Sequence, residues 1–123
     1  MEYLVIGMGG FLGANARYLV AGWAARHFGV IFPYGTFIIN ISGSFILGLF
    51  MSLLQDRAFI HPNYRSFFAI GFLGAYTTFS TFTYESLRLL QDGSFFLALV
   101  NILGSVVVGL LGVFLGFVLG GLL

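Results

Sequence analysis

Apolar residues form four long runs along the chain, separated by short polar stretches. A run of about 20 apolar residues is long enough for a helix to cross the hydrocarbon core of a bilayer. The separating stretches contain residues that favour turns, among them Pro33, His61-Pro62 and Asp92-Gly93. The pattern therefore predicts four transmembrane helices, over about residues 3–25, 34–55, 64–91 and 95–122.

The third of these spans is longer than a straight crossing requires. Glycine weakens a helix, and hydroxyl side chains can bond backbone groups that lose their helical partners. We therefore expect the third helix to be broken near the midplane, where freed carbonyls could coordinate a cation. The residues that favour the break are Gly71, Gly74, Thr77, Thr78, Ser80 and Thr81.

The composition supports a membrane protein. Hydrophobic residues make up 59% of the 123 residues and charged residues only 7%, whereas ordinary globular domains carry about 25% charged residues. A chain this short cannot bury so much apolar surface in one core. We expect an all-α membrane protein with residues 1–123 as a single four-helix unit, no removable signal peptide, and the lipid bilayer as its surroundings.

The composition gives little support for an enzyme. The chain has no Cys, and its two His residues are too few for a metal cluster. No nucleophile, metal-ligand set or acid–base pair is recognisable, so we predict that it is not an enzyme. Its basic residues are five scattered Arg, so we expect neither a nucleic-acid nor a nucleotide partner.

The distribution of the arginines also indicates how the chain is oriented in the membrane. If both termini lie on one side of the membrane, that side carries Arg57 and Arg65, and the other carries Arg26 and Arg88. The Lys/Arg excess of short loops sets the orientation, so an even distribution favours insertion in both orientations. An antiparallel homodimer then becomes feasible. A weak bias with one prevailing orientation is the alternative.

Four polar residues lie at similar depth. Counted from the span ends on the Arg26 side of the membrane, Arg17 lies about nine residues into its span, and Asn40, Glu85 and Asn101 each lie about six residues into theirs. Such residues usually face a cavity, a partner or a pathway, which favours a polar vestibule or track. The alternative is structural: a buried Arg17–Glu85 ion pair, with the two amides as interhelical hydrogen bonds. The four residues are Arg17, Asn40, Glu85 and Asn101.

Uncharged donors and aromatic rings complete the pattern. Thr36, Asn40, Ser44 and Gly48 recur every four residues in the second span, and Asn101, Ser105 and Gly109 do so in the fourth. Donors without fixed charge can replace water around an ion without trapping it, as a channel requires. Phe79 and Phe82 share a helical face, and their electropositive ring edges could contact an anion.

Small residues recur at helix-packing intervals as well. Gly9 and Gly13 are four apart in the first span, and Gly112, Gly116 and Gly120 continue the same interval in the fourth. Helices in lipid associate through close backbone approach, which glycine permits. We therefore expect these glycines to lie at helix contacts.

The whole chain resembles the Fluc family of fluoride ion channels, the CrcB type. The most specific matching segment is Gly71-Phe-Leu-Gly with Thr77-Thr-Phe-Ser-Thr-Phe82. The other matching segments are Gly10-Phe-Leu-Gly-Ala with Arg17-Tyr18, Pro33-Tyr34-Gly35-Thr36 with Asn40, and Asn101 through Ser105 to Gly109. The sequence departs from the family at two places. Many relatives have Gly at the position of Ala75, before the residue equivalent to Tyr76, and some have Tyr at the position of Asn101.

The resemblance implies a passive, fluoride-selective channel that exports fluoride from the cytoplasm and relieves its toxicity. It implies a dual-topology antiparallel homodimer with two pores, located in the inner (plasma) membrane of a prokaryotic cell. It also implies one structural sodium ion at the dimer centre.

The same resemblance implies roles for individual residues. Phe79 and Phe82 would line the pore, Asn40 would contact fluoride, and Arg17 would lie near the vestibule. The backbone carbonyls of Gly74 and Thr77 would bind the sodium ion. The residues implied in or beside a polar track are Thr78, Ser80, Thr81, Glu85 and Ser105.

Two other functions remain open from the residues. A proton-coupled exporter of the small multidrug type needs an exchangeable carboxylate, normally early in the chain. The first span has Arg17 and no acid, and Glu85 is the only deep carboxylate. A subunit that only assembles with other membrane proteins would conduct no ions.

Overall fold

Helices make up all the regular structure in the part of the chain that is described, which comprises residues 1–55, 57 and 59–123 of a computed structural model. Asp56, at which the second span is predicted to stop, lies outside the described residues. A π-helical stretch, Ser66–Leu73, joins two of the helices without a turn. The α-helices in chain order are α1 (Glu2–Phe28), α2 (Tyr34–Leu54), α3 (Pro62–Arg65), α4 (Gly74–Tyr76), α5 (Phe79–Gln91) and α6 (Phe95–Leu122).

Three of these helices are long and apolar enough to cross a membrane. They are α1 with 27 residues, α2 with 21 and α6 with 28. At about 1.5 Å per residue, even α2 is about 30 Å long, the thickness of a hydrocarbon core. The predicted spans 3–25, 34–55 and 95–122 overlap these helices. The region predicted as the third span instead contains several shorter helical segments in succession, from α3 to α5.

The ends of the helices follow from local sequence. Gly29 ends α1 and Gly93 lies between α5 and α6, with φ angles of 84° and 79° that non-glycine residues rarely adopt. At the start of α3, the His61 side chain accepts a hydrogen bond from the Asn63 backbone N–H at 3.0 Å, and Pro62 occupies a first-turn position. Glycine and proline therefore divide the apolar chain into separate helices.

Glycines bring the helices into backbone contact, as expected from their spacing. A Cβ atom on Gly9 or Gly13 would overlap the carbonyl oxygen of Phe67 or Phe72, so α1 lies directly against the π-helical stretch. A Cβ atom on Gly116 would likewise overlap the Phe45 carbonyl oxygen, where α6 crosses α2. Dispersion between closely approaching backbones is one of the attractions that hold helices together in lipid.

The buried core of the single chain is small, and much of its apolar surface is exposed. Ile39, Leu73 and Tyr76 form a buried cluster where α2, the π-helical stretch and α4 meet. Large apolar side chains on the outer faces are exposed, with Phe114 of α6 at 62%. Lipid or another protein chain solvates such a surface far better than water does.

The helix that begins at α3 is interrupted after Tyr76. Thr77 has φ −80° and ψ 156°, and Thr78 has φ −149° and ψ 117°, so both residues are extended. Helical geometry resumes at Phe79. The interruption therefore lies within the segment of glycines and hydroxyl residues that the sequence marks as poor helix.

The tight crossing of α2 and α6 yields a stability prediction. We expect Gly116→Ala to lower the melting temperature in detergent, because overpacking typically costs about 1–3 kcal/mol. The matched control is Gly104→Ala on the same helix, where the nearest heavy atom to an added Cβ is 3.7 Å away. This control should melt at the wild-type temperature or higher, and equal melting of the two variants would contradict the packing argument.

Candidate functional site

The Asn40 side chain spans the interruption between α4 and α5. Its Nδ2 donates to the Thr78 carbonyl oxygen at 3.0 Å, and its Oδ1 accepts from the Thr78 backbone N–H at 2.9 Å. One amide from α2 thus satisfies both backbone groups of an extended residue. An amide nitrogen carries two hydrogens, so Asn40 retains a second N–H for another acceptor.

These bonds change the environment of two backbone carbonyls. In a continuous helix the Thr78 N–H would donate to the Gly74 carbonyl, but here it donates to Asn40. The Thr81 N–H would similarly donate to the Thr77 carbonyl, but it donates to Thr78 Oγ1 at 3.3 Å. The carbonyls of Gly74 and Thr77 therefore lose their usual helical donors. Carbonyls of unwound helix are suitable ligands for sodium, so these two residues fit the role that the resemblance implies.

Hydroxyl groups cluster at the start of α5. Thr78 Oγ1 donates to Thr81 Oγ1 at 3.1 Å and lies 3.4 Å from Ser80 Oγ. Because Thr78 also accepts from the Thr81 N–H, it is the N-cap of α5. The N-terminal end of a helix carries partial positive charge and favours anions. Three of the residues implied in the polar track thus form a helix cap.

The two phenyl rings differ in exposure. Phe79 is 76% exposed, whereas Phe82 is 9% exposed. Their ring centroids are 5.8 Å apart, with an interplanar angle of 49°. The rings are neighbours on one side of α5, as their spacing predicts, but Phe79 projects from the single chain while Phe82 packs inside it.

A groove of about 370 Å³ opens beside the interruption. No charged side chain belongs to the set that lines it. The Ser105 hydroxyl oxygen is buried and has no hydrogen-bond partner among the described residues. The groove therefore combines apolar walls with a few uncharged polar groups. Its lining residues are Asn40, Gly43, Ser44, Leu47, Ala69, Leu73, Gly74, Thr77, Thr78, Phe79, Phe82, Ser105 and Val106.

A second cleft, of about 250 Å³, lies between the end of α1, the turn before α2 and the last turns of α5. In contrast to the groove, it has charged residues in its lining: Glu85, Arg88 and Asp92. Glu85 Oε1 is buried without a hydrogen-bond partner in the described part of the chain. Glu85 thus belongs to a separate cleft and does not line the groove.

The four polar residues predicted at one depth do not line a common cavity in the single chain. Arg17 Nε donates to the Ala75 carbonyl at 3.1 Å, and among the described residues of the single chain it makes no ion pair with Glu85. Asn101 Nδ2 donates to Ser86 Oγ at 2.9 Å. Asn40 and Asn101 therefore do make interhelical hydrogen bonds, as the structural alternative proposed. Residue counting gives depth along a helix, but it does not give the direction in which each side chain projects.

Two hydrogen-bonding residues near the site, Ser42 and Ser86, are not predicted from the sequence. Ser42 Oγ lies 3.0 Å from the Tyr76 hydroxyl, which holds the last residue of α4 against α2. Ser86 donates to the Phe82 carbonyl at 2.8 Å, one turn after the buried ring. The spacing of four between Phe82 and Ser86 is the available sequence signal, but this spacing is common in helices and does not by itself indicate a contact.

The fold and site together define an all-helical membrane protein with a neutral, partly polar groove at an interrupted helix. A family model described as "CrcB-like protein, Camphor Resistance (CrcB)" matches residues 4–117. The chain belongs to this family, which confirms the resemblance inferred from its motifs.

Relatives cover nearly the full chain. A protein of Acidobacterium capsulatum is 46% identical over 120 residues, covering 98% of this chain and 96% of the relative. One from a Sulfurihydrogenibium species is 45% identical over 122 residues, covering 99% and 98%. Both are named "Fluoride-specific ion channel FluC". These names describe a channel, in agreement with the prediction that the chain is not an enzyme.

The amide bridge yields a second stability prediction. We expect Asn40→Ala to destabilise the protein, because it leaves two partly buried backbone groups of Thr78 unsatisfied, and about 1–3 kcal/mol per group is the cost when burial is complete. Asn15→Ala is the matched control, since that exposed amide makes only a local bond to the Phe11 carbonyl. Thermal unfolding in detergent measures both variants. A loss for Asn40→Ala no larger than for the control would show that the bridge contributes little.

Proposed function

We propose that this protein is a passive, fluoride-selective channel. The observation that carries the proposal is the groove at the interruption, in which uncharged donors and phenyl rings occur without a charged side chain among the lining residues. The names of relatives at about 45% identity support the choice of fluoride as the ion.

The groove offers fluoride several weak contacts. The second N–H of Asn40, the Ser105 hydroxyl and the ring edges of Phe79 and Phe82 can each approach an anion. The N-terminal end of α5 adds partial positive charge nearby. Conduction requires binding that replaces hydration but releases the ion, and neutral donors provide that balance. Selection against chloride then comes from narrowness and from donors close enough for the smaller ion.

We further propose that two chains assemble as an antiparallel homodimer with dual topology and two pores. The even distribution of arginines supports insertion in both orientations. The groove is open along one side of the single chain, where Gly74 and Phe79 are exposed. A second copy would close this side and complete a pathway. The interrupted helix would then lie near the bilayer midplane.

A sodium ion at the centre of this dimer is part of the same proposal. The freed carbonyls of Gly74 and Thr77, repeated in the second copy, would hold it. The ion would supply positive charge that stabilises these carbonyls and joins the two chains. Arg17, which donates to the neighbouring Ala75 carbonyl, holds the end of α4 in place and brings positive charge near the pathway.

In the cell, such a channel in the inner (plasma) membrane would export fluoride and relieve its toxicity. Fluoride enters as neutral HF and is trapped as the anion in a more alkaline cytoplasm. A negative-inside membrane potential then drives the anion outward with about 2.3 kcal/mol per charge per 100 mV. No nucleotide hydrolysis is required.

A proton-coupled carrier is the second candidate, because Glu85 Oε1 is buried without a partner among the described residues. Fluoride-electrode efflux from liposomes separates the two functions. A channel gives rapid efflux driven by the voltage alone, with little chloride efflux. Slow efflux that requires an imposed proton gradient would favour the carrier, and no efflux from a correctly assembled protein would refute both.

The phenyl rings provide the third prediction. Phe82→Ile and Phe79→Ile should each reduce fluoride efflux by roughly tenfold, which corresponds to about 1.4 kcal/mol of lost stabilisation of the ion in transit. Phe114→Ile is the control, because Phe114 is exposed on α6 and lines neither the groove nor the second cleft. Wild-type efflux in both groove variants, with normal assembly, would refute the contact between ring edges and fluoride.

The fourth prediction concerns sodium. Replacing sodium with N-methylglucamine at equal ionic strength should lower the melting temperature of the dimer, since a ligand present at 100 times its Kd stabilises by about 2.7 kcal/mol. Potassium replacement tests whether the effect is specific. An unchanged melting temperature in all three salts would contradict the central cation, while leaving the fluoride pathway untouched.

A further inference from the structure

Asn101 and Ser86 form a buried polar link between α6 and α5. Asn101 is 1% exposed and Ser86 is 5% exposed. Asn101 Nδ2 donates to Ser86 Oγ at 2.9 Å, and Ser86 Oγ donates to the Phe82 carbonyl oxygen at 2.8 Å. Among the described residues, this is the side-chain hydrogen bond that joins the two helices.

The donors along this link have a fixed direction. The amide nitrogen of Asn101 can only donate, so Ser86 Oγ must accept from it. The single hydroxyl hydrogen of Ser86 is then available for the Phe82 carbonyl. The link therefore runs from α6 through Ser86 to the backbone of Phe82, whose ring lines the groove.

The link between Asn101 and Ser86 is important because α5 depends on contacts with other helices for its position. Thr77 and Thr78 are extended, so α5 is not a rigid continuation of α4. Most of its side chains before Ser86 are exposed or only half-buried, Phe82 being the exception. The position of the Phe82 ring relative to Asn40 consequently depends on what anchors α5 to the other helices. Asn101 anchors it to α6, which packs closely along α2, the helix that carries Asn40.

We infer that Asn101 is a positioning residue that acts through Ser86 to hold the Phe82 ring at the distance from Asn40 that favours fluoride over chloride. The inference rests on the proposed channel function. It also assigns Asn101 a role different from that of a residue facing an ion pathway, because its amide donates to a buried serine and it does not line the groove.

A purely structural role makes a different prediction. A hydrogen bond that only holds α5 and α6 together would affect stability and leave the selectivity of assembled protein unchanged. A positioning role changes the ratio of fluoride to chloride efflux even in variants that assemble normally. The effect must also disappear once the ring itself has been removed.

The test measures fluoride and chloride efflux from liposomes, with dimer assembly followed by size-exclusion chromatography. We expect Asn101→Leu and Ser86→Ala each to lower the fluoride-to-chloride ratio by about three- to tenfold, the range that corresponds to an interhelical hydrogen bond in a membrane. The double variant should match the single variants, because both changes break one link. In a Phe82→Ile background, Asn101→Leu should have no further effect.

Two further variants complete the design. Ser86→Thr keeps the hydroxyl and should retain the wild-type ratio. Thr83→Val is the matched control, since Thr83 is exposed on the same helix and donates locally to the Ser80 carbonyl at 2.9 Å. It should also retain the ratio.

The possible outcomes are distinct. If the wild-type protein passes no fluoride, the proposed function fails. If it conducts and Asn101→Leu leaves the ratio unchanged, or the two substitutions have additive effects, the inference alone is overturned. Should Asn101→Leu fail to assemble, the smaller Ser86→Ala change decides, and loss of assembly there would establish a structural role in place of positioning.

Discussion

The structure depends on the two hydrogen bonds that the Asn40 amide makes to the backbone of Thr78. Inside a bilayer no water is available to satisfy exposed backbone groups, so an interrupted helix is stable only where protein or a cavity replaces the missing partners. A primary amide has the donor and the acceptor that one extended residue requires. Without this side chain on α2, the extended conformation at Thr77 and Thr78 would be costly.

The same bonds give the two sides of the interruption opposite partial charges. The carbonyls of Gly74 and Thr77 lose their helical donors and present negative partial charge at the end of α4, whereas the hydroxyls and N-terminal dipole of α5 present positive partial charge. The proposed sodium and fluoride sites need these two polarities, respectively. One interruption therefore supports both proposals without a charged side chain in the groove, and the glycine contacts of α1 and α6 hold the surrounding helices close together.

Hydropathy and turn residues were sufficient to anticipate α1, α2 and α6, because each is a single uninterrupted apolar helix. The segment of glycines and hydroxyls marked the region of the interruption, but the π-helical stretch Ser66–Leu73 has no comparable sequence signature. Side-chain partners were harder still. Depth counting placed Arg17 and Glu85 at one level, yet Arg17 binds the Ala75 carbonyl, since rotation about each helix axis is set by packing that the sequence does not display.

The exposed side of the groove argues for a second wall. Lipid tolerates the ring of Phe79, but it cannot solvate the freed carbonyl of exposed Gly74. A single chain in a bilayer would therefore need water, an ion or another protein surface along this side. A second copy of the chain would supply such a surface, because it presents the same uncharged groups. The physical demand for this wall thus supports the proposed dimer independently of the arginine distribution, which alone supports its antiparallel arrangement.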